Sequence, residues 1–343
     1  MMGRRIVFDL EWNQDYCANQ YDYYGFPERF RGEIVQIGAV CLEDMQPFNL
    51  ILRPKFFPRL HEQVAGLTGL RQQDVDGGVE PREGLRRFLD WCGEGAVLLQ
   101  WSGCDVLVLK QNLYLYGLGE EFPAESYDIQ RMFYEQLGGD KPEPSLMEAV
   151  ERLGIPRKRD YHDALADAGY TAEVLGRLDL KKGINKAKKP LRALRRYGEK
   201  WGEGQELRLF TGCLSRESWR LSPGLCRVEC PVCKGVLEEP EHWQKSPDNR
   251  GWYGLCRCPQ CADSDSPAAN GVVLRWKGSQ TEQLYSFIRG VSLPDGELLA
   301  EWQRRLAAAR KRRGKQSCPQ VTESAGRLYR PLYTAQTQME EEK

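Results

Sequence analysis

The sequence predicts an α/β fold: a mixed five-stranded sheet flanked by helices, followed by a small cysteine-rich domain and a C-terminal helix. Three observations support this prediction. Strand-like apolar runs with short connections open the chain, helical patterns then alternate with single strands, and six of the twelve cysteines crowd into residues 226–261. The hydrophobic fraction of 41% and the charged fraction of 29% are typical of a globular protein.

Five apolar runs supply the strands of the predicted sheet. The first precedes Trp12, and turn residues separate the next two, at 33–40 and 48–54, so the three form an antiparallel meander. Short runs at 96–101 and 127–129 complete the sheet. Apolar residues at helical spacing predict helices in the following segments: 85–92, 106–118, 146–153, 164–177 and 298–313.

Charge divides the chain into two halves, although its 49 basic and 49 acidic side chains balance. Residues 1–178 contain 29 acidic and 19 basic side chains, and the rest contain 20 and 30. An acidic first half suits a metal-binding carboxylate cluster and a basic second half suits nucleic acid, although both halves are also explained as solubilising surfaces.

Five segments follow from this organisation. We expect a first domain, a basic linker or short helix pair, a cysteine-rich domain, a helical region and a disordered tail. Their expected bounds are 1–178, 179–223, 224–276, 277–315 and 316–343. No apolar run approaches the length of a membrane span and no signal peptide opens the chain, so we expect a cytoplasmic protein without a membrane partner.

Several acidic residues fall where a fold could bring them together. Asp9 and Glu11 project from the same side of the first strand, where they would repel each other unless a cation lay between them. Asp105 follows a buried strand, and Asp167 lies one turn into a small-residue helix after His162. Taken singly, these residues are also explained as a solvated strand end, helix N-terminal acids and a loop histidine.

The order and settings of five residues resemble the motifs of the DEDDh family of 3′→5′ exonucleases: Asp9, Glu11, Asp105, His162 and Asp167. The family includes proofreading exonuclease subunits, RNase T and Eri1-like RNA-trimming nucleases. The runs 33–40 and 67–70 are similar to its second strand and to the segment before its second helix. The resemblance covers about residues 4–178 and implies an RNase H-like fold.

The resemblance also implies a site chemistry. Asp9 would bridge two Mg²⁺ or Mn²⁺ ions, the other three acids would complete the metal shells, and His162 would be the general base. The implied substrate is the 3′ end of single-stranded RNA or DNA, with RNA slightly favoured. Two alternatives from the same residues are a DNA proofreading or repair exonuclease and a non-catalytic adaptor. A third is a regulator whose cysteine-rich domain and C-terminal helix recruit protein partners that the sequence does not identify.

Two C-P-x-C turns, separated by 24 residues, make up most of the cysteine cluster. Each turn directs two thiolates to one point, so both together predict the four ligands of one structural Zn²⁺ in a zinc ribbon: Cys230, Cys233, Cys258 and Cys261. Cys226 and Cys256 compete for ligation, and His242 is a weaker candidate. Ribbons bind nucleic acid or protein, and the basic linker is the better candidate for contacts to a phosphate backbone.

Overall fold

A computed structural model of the chain describes residues 3–14, 30–119, 125–139, 142–157, 162–214, 216, 227–240, 243–245, 251–281 and 284–313. The chain divides into two compact units: the first contains Met1–Lys188, and the second contains most of the described residues from Lys189 onward. Among the described helices, none combines the length and apolar character needed to cross a bilayer. Cys226, His242 and the expected tail at 316–343 lie outside the described residues.

The first unit is built on one mixed sheet. Its strands are β1 (Arg5–Asn13), β2 (Glu33–Cys41), β3 (Pro47–Ile51), β4 (Val97–Gln100) and β5 (Glu125–Asp128). They lie in the order β3-β2-β1-β4-β5, with β1 to β3 antiparallel and β4 and β5 parallel to β1. The predicted mixed five-stranded sheet is therefore confirmed, and the C-terminal ends of β1, β4 and β5 share one edge.

Helices cover both faces of this sheet. They are α1 (Glu62–Thr68), α2 (Gln72–Asp76), α3 (Pro81–Cys92), α4 (Cys104–Leu115), α5 (Ile129–Leu137), α6 (Leu146–Arg152), α7 (Ala164–Leu175) and α8 (Leu180–Ala187). Phe8 contacts Phe88 of α3 with ring centroids 6.1 Å apart, whereas Val7, on the opposite face, joins a core cluster with Phe133 of α5. Because helices cover both faces, all nine residues of β2 are buried.

Three short helices of the first unit, α1, α2 and α5, were not predicted. They contain seven, five and nine residues, too few for a helical pattern to stand out from the sequence. Their ends are fixed locally instead: the Asp128 side chain accepts a hydrogen bond from Arg131 N and begins α5, and Gly69 ends α1 in the left-handed region with φ 71°.

The second unit contains another five-stranded sheet. Its strands are β6 (Glu206–Cys213), β7 (Gln244–Lys245), β8 (Trp252–Cys256), β9 (Val272–Thr281) and β10 (Leu284–Ser292). They lie in the order β6-β10-β9-β8-β7, with helices α9 (Lys189–Glu199) and α10 (Gly296–Arg313) at either end of the unit in sequence. Trp276, 1% exposed, contacts the rings of Phe210 and Phe287 in the core.

The structure differs from the expected linker at 179–223. Its first part forms the helix pair α8 and α9, the alternative interpretation of the sequence, and its later part supplies β6. Helix α8 belongs to the first unit because Ile184 packs on the core, and Lys188 Nζ lies 2.9 Å from a Glu125 carboxylate oxygen. The segment expected as a basic linker therefore contains two amphipathic helices and an edge strand, which its basic composition alone does not indicate.

The expected helical region at 277–315 is wrong in its first part. Residues up to Thr281 belong to β9, and β10 follows before α10 begins at Gly296. Phe287, Ile288 and Val291 fall at helical spacing, but all described side chains of β10 except Tyr285 are buried. A strand covered on both faces loses its alternation and resembles a buried helix in sequence. The cysteine-rich domain is accordingly larger than the expected ribbon at 224–276.

Candidate active site

The edge of the first sheet where parallel strands end holds a cluster of acids. Asp9 and Glu11 lie two residues apart on β1 and project from the same face. Asp105 lies in the first turn of α4, directly after β4, is 5% exposed and accepts a hydrogen bond from the backbone of Leu10. Because β4 runs parallel to β1 and α4 follows it, the Asp105 carboxylate lies at the end of β1.

Helix α7 carries the remaining members of the predicted set to the same place. Its N-cap is Asp163, whose side chain accepts a hydrogen bond from Ala166 N, and Asp167 follows in the first turn. The backbone N–H of His162 donates to Asp167 Oδ2 over 3.0 Å, with His162 in the left-handed region at φ 64°. Potential ligand atoms of Glu11, His162 and Asp167 all lie within 4.8 Å of one another.

Two residues of β2, which no local sequence pattern singles out, position α7. Gln36 lies opposite Glu11, and its Nε2 donates to Asp163 Oδ2 over 3.0 Å. Gly38 lies opposite Asp9, and a Cβ placed there would be 2.1 Å from the backbone of Ala164. The missing side chain lets the start of α7 contact the strand, and the amide of Gln36 holds the N-cap.

The acids destabilise one another's ionised forms. Burial, followed by repulsion from neighbouring carboxylates, raises the pKa of Glu11 to about 8 and that of Asp9 well above its usual range. Burial likewise raises the pKa of Asp105 to about 7, with further repulsion from Asp128 and Asp167. Burial also raises the pKa of Asp167 to about 6, although the hydrogen bond from His162 acts in the opposite direction and lowers it. A cation bound among these carboxylates would compensate for their burial and for their mutual repulsion, and would favour their ionised forms.

The arrangement fits a hard divalent cation. Asp167 Oδ1 is buried and has no hydrogen-bond partner. Such an oxygen is costly unless a ligand satisfies it. Mg²⁺ and Mn²⁺ prefer carboxylate oxygens, which this cluster supplies from β1, α4 and α7. Among the described residues, the set Glu11, His162 and Asp167 is one of two groups close enough to hold a metal ion.

The other group is formed by the four predicted cysteines of the second unit. Their sulfur atoms lie within 4.8 Å of one another: Cys230, Cys233, Cys258 and Cys261. Tetrahedral Zn–S bonds of about 2.3 Å place sulfurs about 3.8 Å apart, so the group fits one zinc ion. The turns themselves are closed by backbone bonds, from Lys234 N to Cys230 O and from Ala262 N to Cys258 O, both 3.0 Å long.

The competing ligand Cys256 lies outside this group. It is 2% exposed, and burial raises the pKa of its thiol to about 12, so it packs as an apolar core residue. Cys258, the alternative at this turn, joins the four-sulfur group. The one-residue ambiguity in the sequence is therefore resolved by the strand: Cys256 is the last residue of β8, and Cys258 lies in the turn beyond it.

Comparison with known proteins finds similarity to exonucleases in the first half of the chain. Residues 23–175 match the model of the exonuclease family that includes RNase T. The matched range begins after β1, so Asp9 and Glu11 precede it. A probable 3′-5′ exonuclease, KapD of Bacillus subtilis (strain 168), is 29% identical over 146 residues, which are 41% of this chain and 71% of that protein.

Two further proteins are each similar over about half of the chain. The PolC-type DNA polymerase III of Clostridium perfringens (strain 13 / Type A) is 28% identical over 174 residues, 50% of this chain but only 11% of the polymerase. The nuclease domain of 3′hExo, a DEDDh family member solved bound to rAMP, is 19% identical, with a TM-score of 0.44 over 51% of this chain and 91% of that one. Over the matched residues the chain is therefore similar to 3′-5′ exonucleases.

Proposed function

We propose that the protein is a metal-dependent exonuclease that removes nucleotides one at a time from the 3′ ends of single-stranded nucleic acid, with RNA preferred to DNA. The acidic cluster supports metal dependence. Its carboxylates have raised pKa values in the absence of a cation, and one of their oxygens is buried without a partner. Such a cluster gains stability when divalent ions bind to it.

Four carboxylates would hold two Mg²⁺ or Mn²⁺ ions: Asp9, Glu11, Asp105 and Asp167. Bound ions of this kind lower the pKa of a water molecule and stabilise the oxygen that leaves the phosphate. The chain's own contribution is rigid placement. Asp9 and Glu11 are fixed by the sheet, and Asp167 is fixed by the hydrogen bond from His162 N. Preorganised ligands avoid rearrangement during the reaction.

His162 is the proposed general base. Its ring nitrogen lies in the same group as carboxylate oxygens of Glu11 and Asp167, and the residue is exposed, so it can accept a proton from water and pass it to solvent. An imidazole suits this step because it exchanges protons near neutral pH. In the second unit, we propose that the four-cysteine group holds one structural Zn²⁺.

The preference for RNA rests on the resemblance of the motifs to RNA-trimming nucleases, whereas the similarity to a PolC-type DNA polymerase favours DNA as the alternative substrate. A cytoplasmic location is also part of the proposal. Imaging of the tagged protein in cells would test it.

The test uses matched RNA and DNA strands. Single-stranded oligonucleotides of one sequence, labelled at the 5′ end, are incubated with zinc-replete protein in Mg²⁺, Mn²⁺ or EDTA. We expect a ladder that shortens from the 3′ end in either metal, no cleavage in EDTA, and a faster ladder on RNA. Duplex versions of both strands should be shortened more slowly.

The matched variants are Asp9→Asn and Glu94→Gln. The first removes a half-buried carboxylate of the cluster, and the second removes an exposed one on the loop after α3. We expect Asp9→Asn to be inactive and Glu94→Gln to be unchanged. A faster ladder on DNA would replace RNA by DNA in the proposal, and no cleavage of either strand would favour a non-catalytic adaptor.

A further inference from the structure

A cavity in the second unit is lined largely by aromatic rings. It has a volume of about 340 Å³, within the range of about 300–1,000 Å³ typical of ligand sites. Its aromatic residues come from the end of α9 and from β8 and β9: Tyr197, Trp201, Trp252, Tyr253 and Trp276. Trp252 is 38% exposed, so part of its ring is open to solvent.

Basic side chains accompany these rings. Lys200 and Arg275 line the cavity, and the Lys245 ammonium lies 5.6 Å from the centre of the Trp252 ring. Arg275 donates a hydrogen bond to Ser292 Oγ over 3.2 Å, which fixes the guanidinium at the wall. Among the described lining residues, Glu301 is the single acid.

A basic groove lies beside the cavity. It has a volume of about 730 Å³ and runs along α9 and β9. Tyr197 and Lys200 line both spaces, so the two are neighbours on the surface of this unit. Arg196, Lys200 and Lys277 are its cations, and none of the described residues that line it is acidic. The Lys277 ammonium lies 5.7 Å from the centre of the Tyr197 ring.

We propose that the cavity and groove together bind single-stranded nucleic acid, with a base stacked on the exposed Trp252 ring of the cavity and phosphates along the cations of the groove. Rings beside a continuous row of cations are the combination that binds a single strand without reading its sequence. The choice of this ligand rests on the proposed function. An acidic peptide would satisfy the cations but would offer no flat group to stack on the exposed Trp252 ring.

The test measures binding apart from catalysis. A fluorescein-labelled single-stranded RNA is titrated without added Mg²⁺ or Mn²⁺ and in the Asp9→Asn background, which prevents cleavage without a chelator that would remove the structural zinc. The variants are Trp252→Ala, Trp252→Phe and, as a control, Val236→Ala, which truncates an exposed side chain lining neither space. We expect Trp252→Ala to weaken binding by about 5- to 150-fold, the range for loss of one stacked base. Trp252→Phe should restore most of the affinity, and Val236→Ala should change nothing.

The groove is tested by salt dependence. Lys200→Gln combined with Lys277→Gln should reduce the slope of log affinity against log salt by about 0.7 for each phosphate that the lysines no longer neutralise. Arg227→Gln, which removes an exposed cation outside both spaces, should leave the slope unchanged. An abasic DNA strand distinguishes phosphate contacts in the groove from stacking in the cavity, because it keeps its phosphates but has no bases to stack. Its binding should respond to the lysine variants and not to Trp252→Ala.

Two results would overturn the inference. One is equal binding of the RNA by wild type, Trp252→Ala and the lysine variants. The other is binding of polyglutamate as tight as that of RNA and equally reduced by Trp252→Ala. Zinc content and melting temperature confirm that each variant is folded. Hydrolysis of a dinucleotide in Mg²⁺, which offers a single phosphodiester, reports the proposed function separately, so either proposal can fail alone.

Discussion

Asp167 illustrates how the first unit prepares a site at the scale of one residue. One of its carboxylate oxygens accepts the His162 N–H, and the other is buried without a partner. Leaving such an oxygen unpaired costs about 1–3 kcal/mol. The fold bears this cost, together with the repulsion among neighbouring acids, at the one edge where three parallel strands end.

The pH dependence of stability follows from the raised pKa values. The pKa of Glu11 is about 8 in the folded, metal-free protein and about 4.5 when unfolded. The folded state therefore holds the proton more tightly, so its stabilising contribution is full below about pH 4.5 and is lost as the pH rises towards 8. We expect the melting temperature in EDTA to fall over this range and Mg²⁺ to restore it most strongly near pH 8.

Thermal melts of wild type and Glu11→Gln, in EDTA and in Mg²⁺, check this prediction. The glutamine variant cannot ionise, so its EDTA profile should be flatter and its response to Mg²⁺ smaller. An EDTA melting temperature that rises between pH 5 and pH 8 would contradict the electrostatic description of the cluster.

Gln36 offers a second prediction at this scale. Gln36→Leu removes the amide that holds Asp163, so α7 should shift and carry Asp167 and His162 with it. A misplacement of this kind can lower kcat by up to about 100-fold. Asn49→Ala is the control, because Asn49 Oδ1 accepts a 3.1 Å bond from the same amide and its removal leaves the bond from Gln36 to Asp163 in place.

Steady-state kinetics on one oligonucleotide check the role of Gln36. We expect Gln36→Leu to lower kcat with little change in KM, and Asn49→Ala to be nearly normal. Equal kcat values for Gln36→Leu and wild type would show that α7 does not need this contact.

At the scale of elements, the close approach of α7 to β2 determines the site. Gly38→Ala would place a methyl group 2.1 Å from backbone atoms of Ala164 and Leu165, which cannot move without displacing the helix. We expect a loss of about 1–3 kcal/mol in stability, the usual cost of overpacking, and a large loss of activity. Gly66→Ala in α1 is the control, since nothing lies within 4 Å of its added methyl group.

Chemical denaturation and activity together check this prediction. Gly66→Ala should be as stable as wild type or more so by about 1 kcal/mol, because alanine favours a helix over glycine. If Gly38→Ala kept full stability and activity, the packing of α7 on β2 would not be what positions Asp167.

The cysteine group gives a further prediction for the second unit. Cys233→Ala removes one of four ligands, and structural zinc supplies much of the folding free energy of small metal-bound units. We expect the zinc content to fall from one per chain to nearly none. Cys256→Ala truncates a neighbouring buried thiol outside the group and should keep its zinc. Metal analysis of both variants tests this prediction. Loss of zinc from Cys256→Ala but not from Cys233→Ala would show that the ligands are assigned wrongly.

Some elements were predictable because their sequence patterns are local. The apolar strands of the first sheet and helix α7 follow from periodicity, and the acids were selected because their order resembles the motifs of one exonuclease family. Gln36 and Gly38 could not be selected, because their role depends on a helix that begins more than 120 residues later. Likewise β10 shows no alternation, since both of its faces are buried.

At the scale of the whole molecule, the division of charge agrees with the division into two units. The acidic cluster lies in the first unit, whereas the cavity and basic groove lie in the second. The sequence indicated this difference through its composition but not the size of the second unit. Its five strands are spread over residues 206–292 and the first strand pairs with the last, so no local pattern reveals them as one sheet.

The most direct test of the central claim is the Mg²⁺ dependence of nucleotide release from a 3′-labelled single strand, measured for wild type and Asp9→Asn after removal of divalent ions with EDTA. We expect no release without metal, a saturable rise with Mg²⁺ for wild type, and a rate at least about 1,000-fold lower for Asp9→Asn at every concentration. Release that persists in EDTA, or an Asp9→Asn variant as fast as wild type, would contradict a two-metal site built on these carboxylates.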